Sequence, residues 1–281
     1  MMKKRYMRFL LLSLSLLLLL SSCIKREPDE PSGGGNPPVH YYESTQYTYP
    51  TQIDQTLLTT GLDPAYLLLA NKQHALGADY EPQNLVDIPA SLRVAKNIKL
   101  EARALAALEL MMQEMRAAGI NDTWVTSAYR TYARQQQLFN GYLEEEMRTI
   151  SQAAVSYFGG EYIYRNYTSK GLTSLSWQDA ESVVRSYSAY PGTSEHQSGL
   201  CVDFITNGMS DVTEVFETTN AFAWLSQNAY RYGFILRYPK DKTDVTGYSY
   251  EPWHYRFVGR EAATDIHFSG LTLEEYVAAL N

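Results

Sequence analysis

Two cysteines, Cys23 and Cys201, are all that 281 residues contain, and the first stands where an apolar run ends. Lys3, Lys4, Arg5 and Arg8 form a basic start, followed by apolar residues from Phe9 to Leu20. That run is short for a membrane span and has the length of a secretion-signal core. An exported chain whose first cysteine is modified keeps one thiol and can form no internal disulfide. Its fold must therefore rest on a packed core, with or without a metal. With 45% hydrophobic and 20% charged residues, the composition supplies enough apolar material for one.

Leu20-Ser21-Ser22-Cys23 resembles the bacterial lipobox, in which a small-residue pair precedes a cysteine that is lipidated and becomes the new N-terminus. An uncleaved signal anchor is the competing reading. Residues 1–22 are thus expected to be a lipoprotein signal peptide, with Cys23 the lipidation site. Lys25 to Pro38 is charged and then Pro/Gly-rich, a composition that cannot bury a core and suits a flexible tether. The tether is drawn over 23–60. His40 to Thr60, rich in Tyr, Thr and Gln, also reads as an extended segment lying on the domain. The globular domain is expected over 61–281.

A net charge of −7 argues against a nucleic-acid partner. Twenty-three tyrosines suit a protein that binds polar polymers, although an aromatic core with surface enrichment accounts for most of them. Leu100 to Ala118 carries Leu105, Leu108, Met111, Met112 and Met115 at helical spacing, and Gly119 supplies a stop. Thr131 to Met147, Val215 to Tyr232 and Leu273 to Leu280 also read as helices. So does Ile150 to Tyr190, as two short helices around Gly159-Gly160 and Gly171. Strands are expected at Leu67–Asn71, Thr123–Tyr129, Leu200–Ile205, Phe234–Tyr238 and Trp253–Val258. The class is α+β, a small antiparallel sheet with helices packed around it.

Of five histidines, His40 lies in the tether, and His74 and His267 have no acidic or cysteine company at ligand spacing. His196 and His254 differ. A Pro191-Gly192 turn leads into Ser194-Glu195-His196, Gly199 permits a second close turn, and a strand then delivers Asp203. Glu251 precedes His254 by three residues, which a regular strand would point to the opposite face. Pro252 fits a ladder poorly, and a bend there would turn Glu251 and His254 into one cavity. Two histidines and a carboxylate suit zinc with an open position for water, and a free glutamate is what water activation needs. From the residues alone, ordinary surface histidines remain the other reading.

Ser194-x-His196-x-x-Gly199-x-x-x-Asp203 followed by Glu251-x-x-His254 resembles the paired motif of the D-alanyl-D-alanine carboxypeptidase family typified by VanY, whose relatives include VanX dipeptidases and LdcB-type L,D-carboxypeptidases. Ser127-Ala128-Tyr129-Arg130, Tyr187-Ser188-Ala189-x-Pro191-Gly192 and Gly233-Phe234-x-x-Arg237-Tyr238-Pro239 are similar to family blocks in family order, and the likeness runs from about Asp63 to the C-terminus. It implies a hedgehog/DD-peptidase-like fold and one zinc per chain, held by His196, Asp203 and His254. Glu251 would be the catalytic base and Arg130 the cation that meets developing negative charge or the substrate carboxylate. Gln135, Ser194 and Trp253 are further candidate substrate contacts, and Tyr238–Tyr250 reads as a flap or a long hairpin loop. Cys201 and Ser198 depart from the pattern, which has a small residue such as alanine and a threonine there.

The resemblance implies removal of the C-terminal D-alanine from peptidoglycan stem peptides, by a monomer lipid-anchored in the cell envelope. Two rivals share the scaffold: a non-catalytic peptidoglycan-binding lipoprotein and an endopeptidase that cuts cross-links.

Overall fold

The computed structural model describes residues 40–155 and 177–280. The signal peptide, Cys23 and the first part of the tether lie outside these residues, as do the Gly159-Gly160 and Gly171 breaks.

A two-stranded ribbon pairs β1 (Leu85–Asp87) with β2 (Lys99–Glu101). The Glu101 carboxylate then accepts from the N–H groups of Arg103 and Ala104 and caps helix α1 (Ala102–Ala117). The apolar stripe of α1 is fully used: Leu105, Leu108, Met111, Met112 and Met115 are all buried. After β3 (Thr123–Ser127) come α2 (Tyr132–Val155) and α3 (Trp177–Tyr187). Then follow β4 (Cys201–Thr206), α4 (Asn220–Asn228), β5 (Phe234–Leu236), a single turn of helix α5 (Thr243–Thr246) and β6 (His254–Phe257). Helices α6 (Arg260–Ser269) and α7 (Leu273–Leu280) complete the described chain.

Strands β3, β4, β6 and β5 form one antiparallel sheet in that order. Side chains alternate across a strand. Leu200, Val202 and Phe204 join Val125, Tyr255 and Phe257 in the main core against α1. Cys201 and Asp203 therefore emerge on the other face. The register pairs Ser127 with Asp203, and Asp203 with His254. Directly opposed residues share a face with Cβ atoms roughly 5 Å apart. The sheet thus carries a row of Ser127, Asp203 and His254 on its non-core side.

The expected α+β class with a small antiparallel sheet is what the structure has, with several local differences. Leu67–Asn71 is irregular backbone with bends at Leu67 and Asn71 rather than a strand, and the carbonyls Tyr66 O and Leu68 O are taken by the Arg256 guanidinium, at 3.1 and 2.8 Å. The helix expected over Val215–Tyr232 is broken into a 3-10 turn (Glu214–Thr218), α4, and a second 3-10 turn (Ala229–Tyr232). Thr219 is extended at the break and its Oγ1 accepts from the Phe222 N–H, restarting the helix. Helix α2 continues past Met147, and α6 and the β1–β2 ribbon add to the expected elements.

Residues 40–60 lie on the domain, the second of the two readings of that segment. The Tyr42 N–H donates to Asp265, Tyr47 Oη bonds with Thr264 Oγ1, Tyr49 Oη donates to Arg231 O, and Leu58 is wholly buried. The segment 238–250 is pinned as well. Lys240 and Lys242 pair with Glu217 and Glu275 at 3.1 Å each, and Tyr248 Oη donates to Thr193 O at 2.9 Å.

Candidate metal centre

The His196 turn (Glu195–Ser198) is a 3-10 helix that ends at Gly199 with φ +70°. A side chain there would be strained and its Cβ would meet Pro82 Cγ at 2.9 Å, so only glycine turns the chain into β4. The turn sets His196 over the sheet. Its Nδ1 lies 2.6 Å from Ala128 O, so that nitrogen carries the proton, and Nε2 lies 3.1 Å from Asp203 Oδ2.

His254 is fixed the same way with its nitrogens exchanged. Nε2 lies 3.1 Å from Glu195 Oε2, and Nδ1 lies 3.0 Å from Asp203 Oδ1. Each imidazole thus has its outer nitrogen held by an acceptor and its inner nitrogen turned toward Asp203. Ligands on a common tetrahedral zinc sit about 3.3 Å apart, so the three inner donors are close to a coordinating arrangement. Asp203 Oδ1 is buried without a hydrogen-bond partner of good geometry, which a cation among these donors would supply. The donor set and its orphaned oxygen fit a zinc ion.

Glu251 completes the cluster. Strand β6 begins only at His254, and residues 251–253 form a turn in which the His254 N–H donates to Glu251 O at 3.2 Å. The alternation rule does not apply across that turn. Glu251 Oε2 therefore reaches to 3.6 Å from His254 Nδ1. Burial pushes the Glu251 carboxyl up to about 7, helped by Asp203 and opposed by the two imidazoles. Burial also pushes Asp203 up, but His196 and His254 overcome it and hold that carboxyl well below the usual range. His196 is raised to about 9: burial works against the cation, and Cys201 and Asp203 outweigh it.

Arg130 opens the segment before α2. Its backbone N–H donates to His196 O at 3.1 Å, tying it to the His196 turn. The guanidinium donates to Gln135 Oε1 at 2.7 Å and to Ser127 Oγ at 3.0 Å. Gln135, buried, also donates to Ala189 O at 2.6 Å. Both its polar atoms are engaged, so Gln135 stands behind Arg130 as a support. Ser194 is buried and its side chain does not cap the His196 turn. Trp253 packs partly buried against the main core. An open groove of about 430 Å³ is lined by Glu81, Lys99, Tyr129, Thr131 and Arg134 among others, and Arg130 is not part of its lining.

Glu195, Arg237 and Arg256 were not singled out by the sequence reading. All three are buried, and Glu195 Oε1 accepts from Arg237 Nε at 2.7 Å and Arg256 Nη1 at 2.6 Å. Burial raises the Glu195 carboxyl, but the two guanidiniums hold it well below the usual range. Arg237 makes a second, bidentate pair with Glu274, at 2.9 and 2.6 Å. The signal was present: arginines inside apolar strands need buried anions.

The VanY family model, described as D-alanyl-D-alanine carboxypeptidase, matches residues 97–260. The chain belongs to the VanY family. A D-alanyl-D-alanine carboxypeptidase of Enterococcus faecalis is 37% identical over 212 residues, covering 75% of this chain and 65% of that protein. The chain thus spans just under two thirds of that relative's length. The solved LdcB L,D-carboxypeptidase superposes with a TM-score of 0.60 at 35% identity, covering 76% of this chain and 87% of that one. A VanY D,D-pentapeptidase from a VanB-type vancomycin-resistance cassette, solved in complex with Zn(II), gives a TM-score of 0.55 at 34% identity, with 76% and 99% covered. Membership in the VanY family accounts for the order of the two motifs, which here close on a single buried cluster.

Proposed function

We propose that this chain is a zinc-dependent carboxypeptidase that removes the C-terminal D-alanine from peptidoglycan stem peptides. The observation that carries this reading is the placement of Glu251. A carboxylate of raised pKa faces two oriented imidazoles and Asp203, with Arg130 tied to the His196 turn.

His196 Nε2, His254 Nδ1 and an Asp203 oxygen would hold the ion. A zinc ion there polarises a carbonyl and lowers the pKa of water toward ~7. Glu251 takes the proton from the attacking water on its Oε2 and passes it to the leaving amine. A base whose pKa sits near neutrality both accepts and returns that proton readily. Arg130, pre-oriented by Gln135 and Ser127, offers its remaining N–H groups to a carboxylate or a developing oxyanion.

The site belongs in the envelope, where the stem peptide is, and Cys23 would anchor the chain by a lipid. Among the described residues no helix is long and apolar enough to cross a membrane. The test is a muropeptide digest incubated with the zinc-loaded protein and read by mass spectrometry. Loss of one terminal alanine is expected, from pentapeptides for D,D cleavage or tetrapeptides for L,D cleavage. Cleaved cross-bridges would replace this reading by an endopeptidase, and an unchanged digest by a binding protein. Glu251→Gln should keep its zinc and lose the trimming; retention of normal trimming refutes the role of Glu251.

A further inference from the structure

A third kind of donor joins the two imidazoles at the centre. The Cys201 thiol, one nitrogen of His196 and one of His254 lie within 4.8 Å of one another, and all three residues are buried. Among the described residues Cys201 has no disulfide partner. It is wholly buried but lies outside the apolar core that takes its neighbours Leu200, Val202 and Phe204. Strand alternation explains this: Cys201 shares the face of Asp203, two residues on, and stands across from Arg256, next to His254 on that face. A structural thiol would serve equally well pointing into the core. This one lies with two imidazoles that both face Asp203, whose Oδ1 is orphaned.

We propose that Cys201 is a fourth protein donor to the metal, giving this chain a His-His-Asp-Cys set. The inference rests on the metal-site reading of His196, Asp203 and His254. Where the family pattern has a small, non-coordinating residue, this chain places sulfur. Thiolate binds zinc strongly at ~2.3 Å, and zinc can expand to five-coordinate, so the water that Glu251 serves keeps its place. Binding releases the thiol proton to solvent. Sulfur also turns the preference of the site from hard divalent ions such as manganese toward zinc. Cys201 thus sets which metal the site keeps and how firmly.

The test uses the full chain in detergent with Cys23→Ser, so that Cys201 is its only thiol, together with Cys201→Ala and Cys201→Ser in that background. Each is loaded with cobalt(II) after chelation. With Cys201 present, one bound cobalt should show near-ultraviolet thiolate-to-metal charge transfer. Both variants should lose that band while keeping the visible ligand-field bands and one cobalt per chain. Zinc competition against a chromophoric chelator should show both variants weaker by roughly tenfold or more. A bound cobalt without the charge-transfer band in the presence of Cys201 overturns this inference and leaves the His-Asp-His site intact. Failure of all three proteins to bind cobalt overturns both.

Discussion

Glu195 Oε2 lies 3.1 Å from Nε2 of His254, on the ring nitrogen opposite the one that faces Asp203. That contact fixes the tautomer and aims Nδ1 inward. Glu195 itself is held by Arg237 and Arg256, so the orientation of the imidazole that faces Asp203 is anchored through two buried guanidiniums. Outer acceptors of this kind raise ligand basicity and lock ring angle.

Neutralising Glu195 should therefore cost both metal affinity and stability. Glu195→Gln is expected to weaken zinc roughly 10- to 100-fold. It leaves two buried cations without their shared anion, a loss of about 3–5 kcal/mol. Chelator competition measures the first and urea denaturation of the metal-free protein the second. Unchanged zinc affinity in a folded variant would show that Glu195 does not orient His254.

Arg130 is positioned rather than merely present. Gln135→Leu keeps the volume and removes the acceptor 2.7 Å from the guanidinium. We expect kcat/KM for a stem peptide to fall roughly tenfold, the value of about one charge-assisted hydrogen bond, with zinc content unchanged. Arg130→Lys should lose more, because an ammonium cannot make the two-point fork. A Gln135→Leu enzyme with wild-type kinetics would assign Gln135 to packing alone.

The two motifs are legible in the sequence because each is short-range. His196 and Asp203 are seven residues apart, and Glu251 and His254 three, so turn chemistry at Gly199 and Pro252 decides their geometry. The strand order that brings the motifs together is long-range and was supplied by family likeness. Elements whose local pattern was weak escaped notice. Helix α6 mixes Arg260, Glu261, Thr264 and Asp265 with few large apolar residues, and it is held by contacts with residues 40–60. Glu195 looked like a neighbour of His196, since nothing local reveals that Arg237 and Arg256 will converge on it. The tether boundary slipped for a related reason: the tyrosines of 40–60 bury their rings only once the distant α6 exists.

The raised Glu251 pKa gives a signed stability prediction for the metal-free protein. A carboxyl held protonated in the fold is stabilising below its ordinary value of 4.5, and that stabilisation is lost as pH rises toward about 7. Carrying a carboxyl across this interval amounts to about 3 kcal/mol at full effect. Glu251→Gln removes the ionisation. The chelated variant should match the wild type near pH 4 and exceed it by ~1–3 kcal/mol above pH 7. Denaturant midpoints across this range decide it; parallel curves would mean that the fold does not raise the Glu251 pKa.

The 40–60 segment supplies the last expectation. A chain beginning at residue 61, the boundary suggested by composition, lacks Leu58, which is 0% exposed, and the half-buried Tyr49 and Ile53 that pack on the core. It also loses the Thr60 N–H bond to Glu261 at 3.1 Å. Burying one large apolar side chain is worth about 1.5–3 kcal/mol, so these losses together approach the whole stability of a domain. We expect the 61–281 protein to melt at least roughly 10 °C below the 40–281 protein, since 1 kcal/mol shifts the midpoint of a domain this size by about 2–4 °C. Differential scanning calorimetry of the two chains, both metal-free, measures this directly. Equal melting temperatures would return 40–60 to the tether, while a large drop makes it the clasp that closes the core beneath α6.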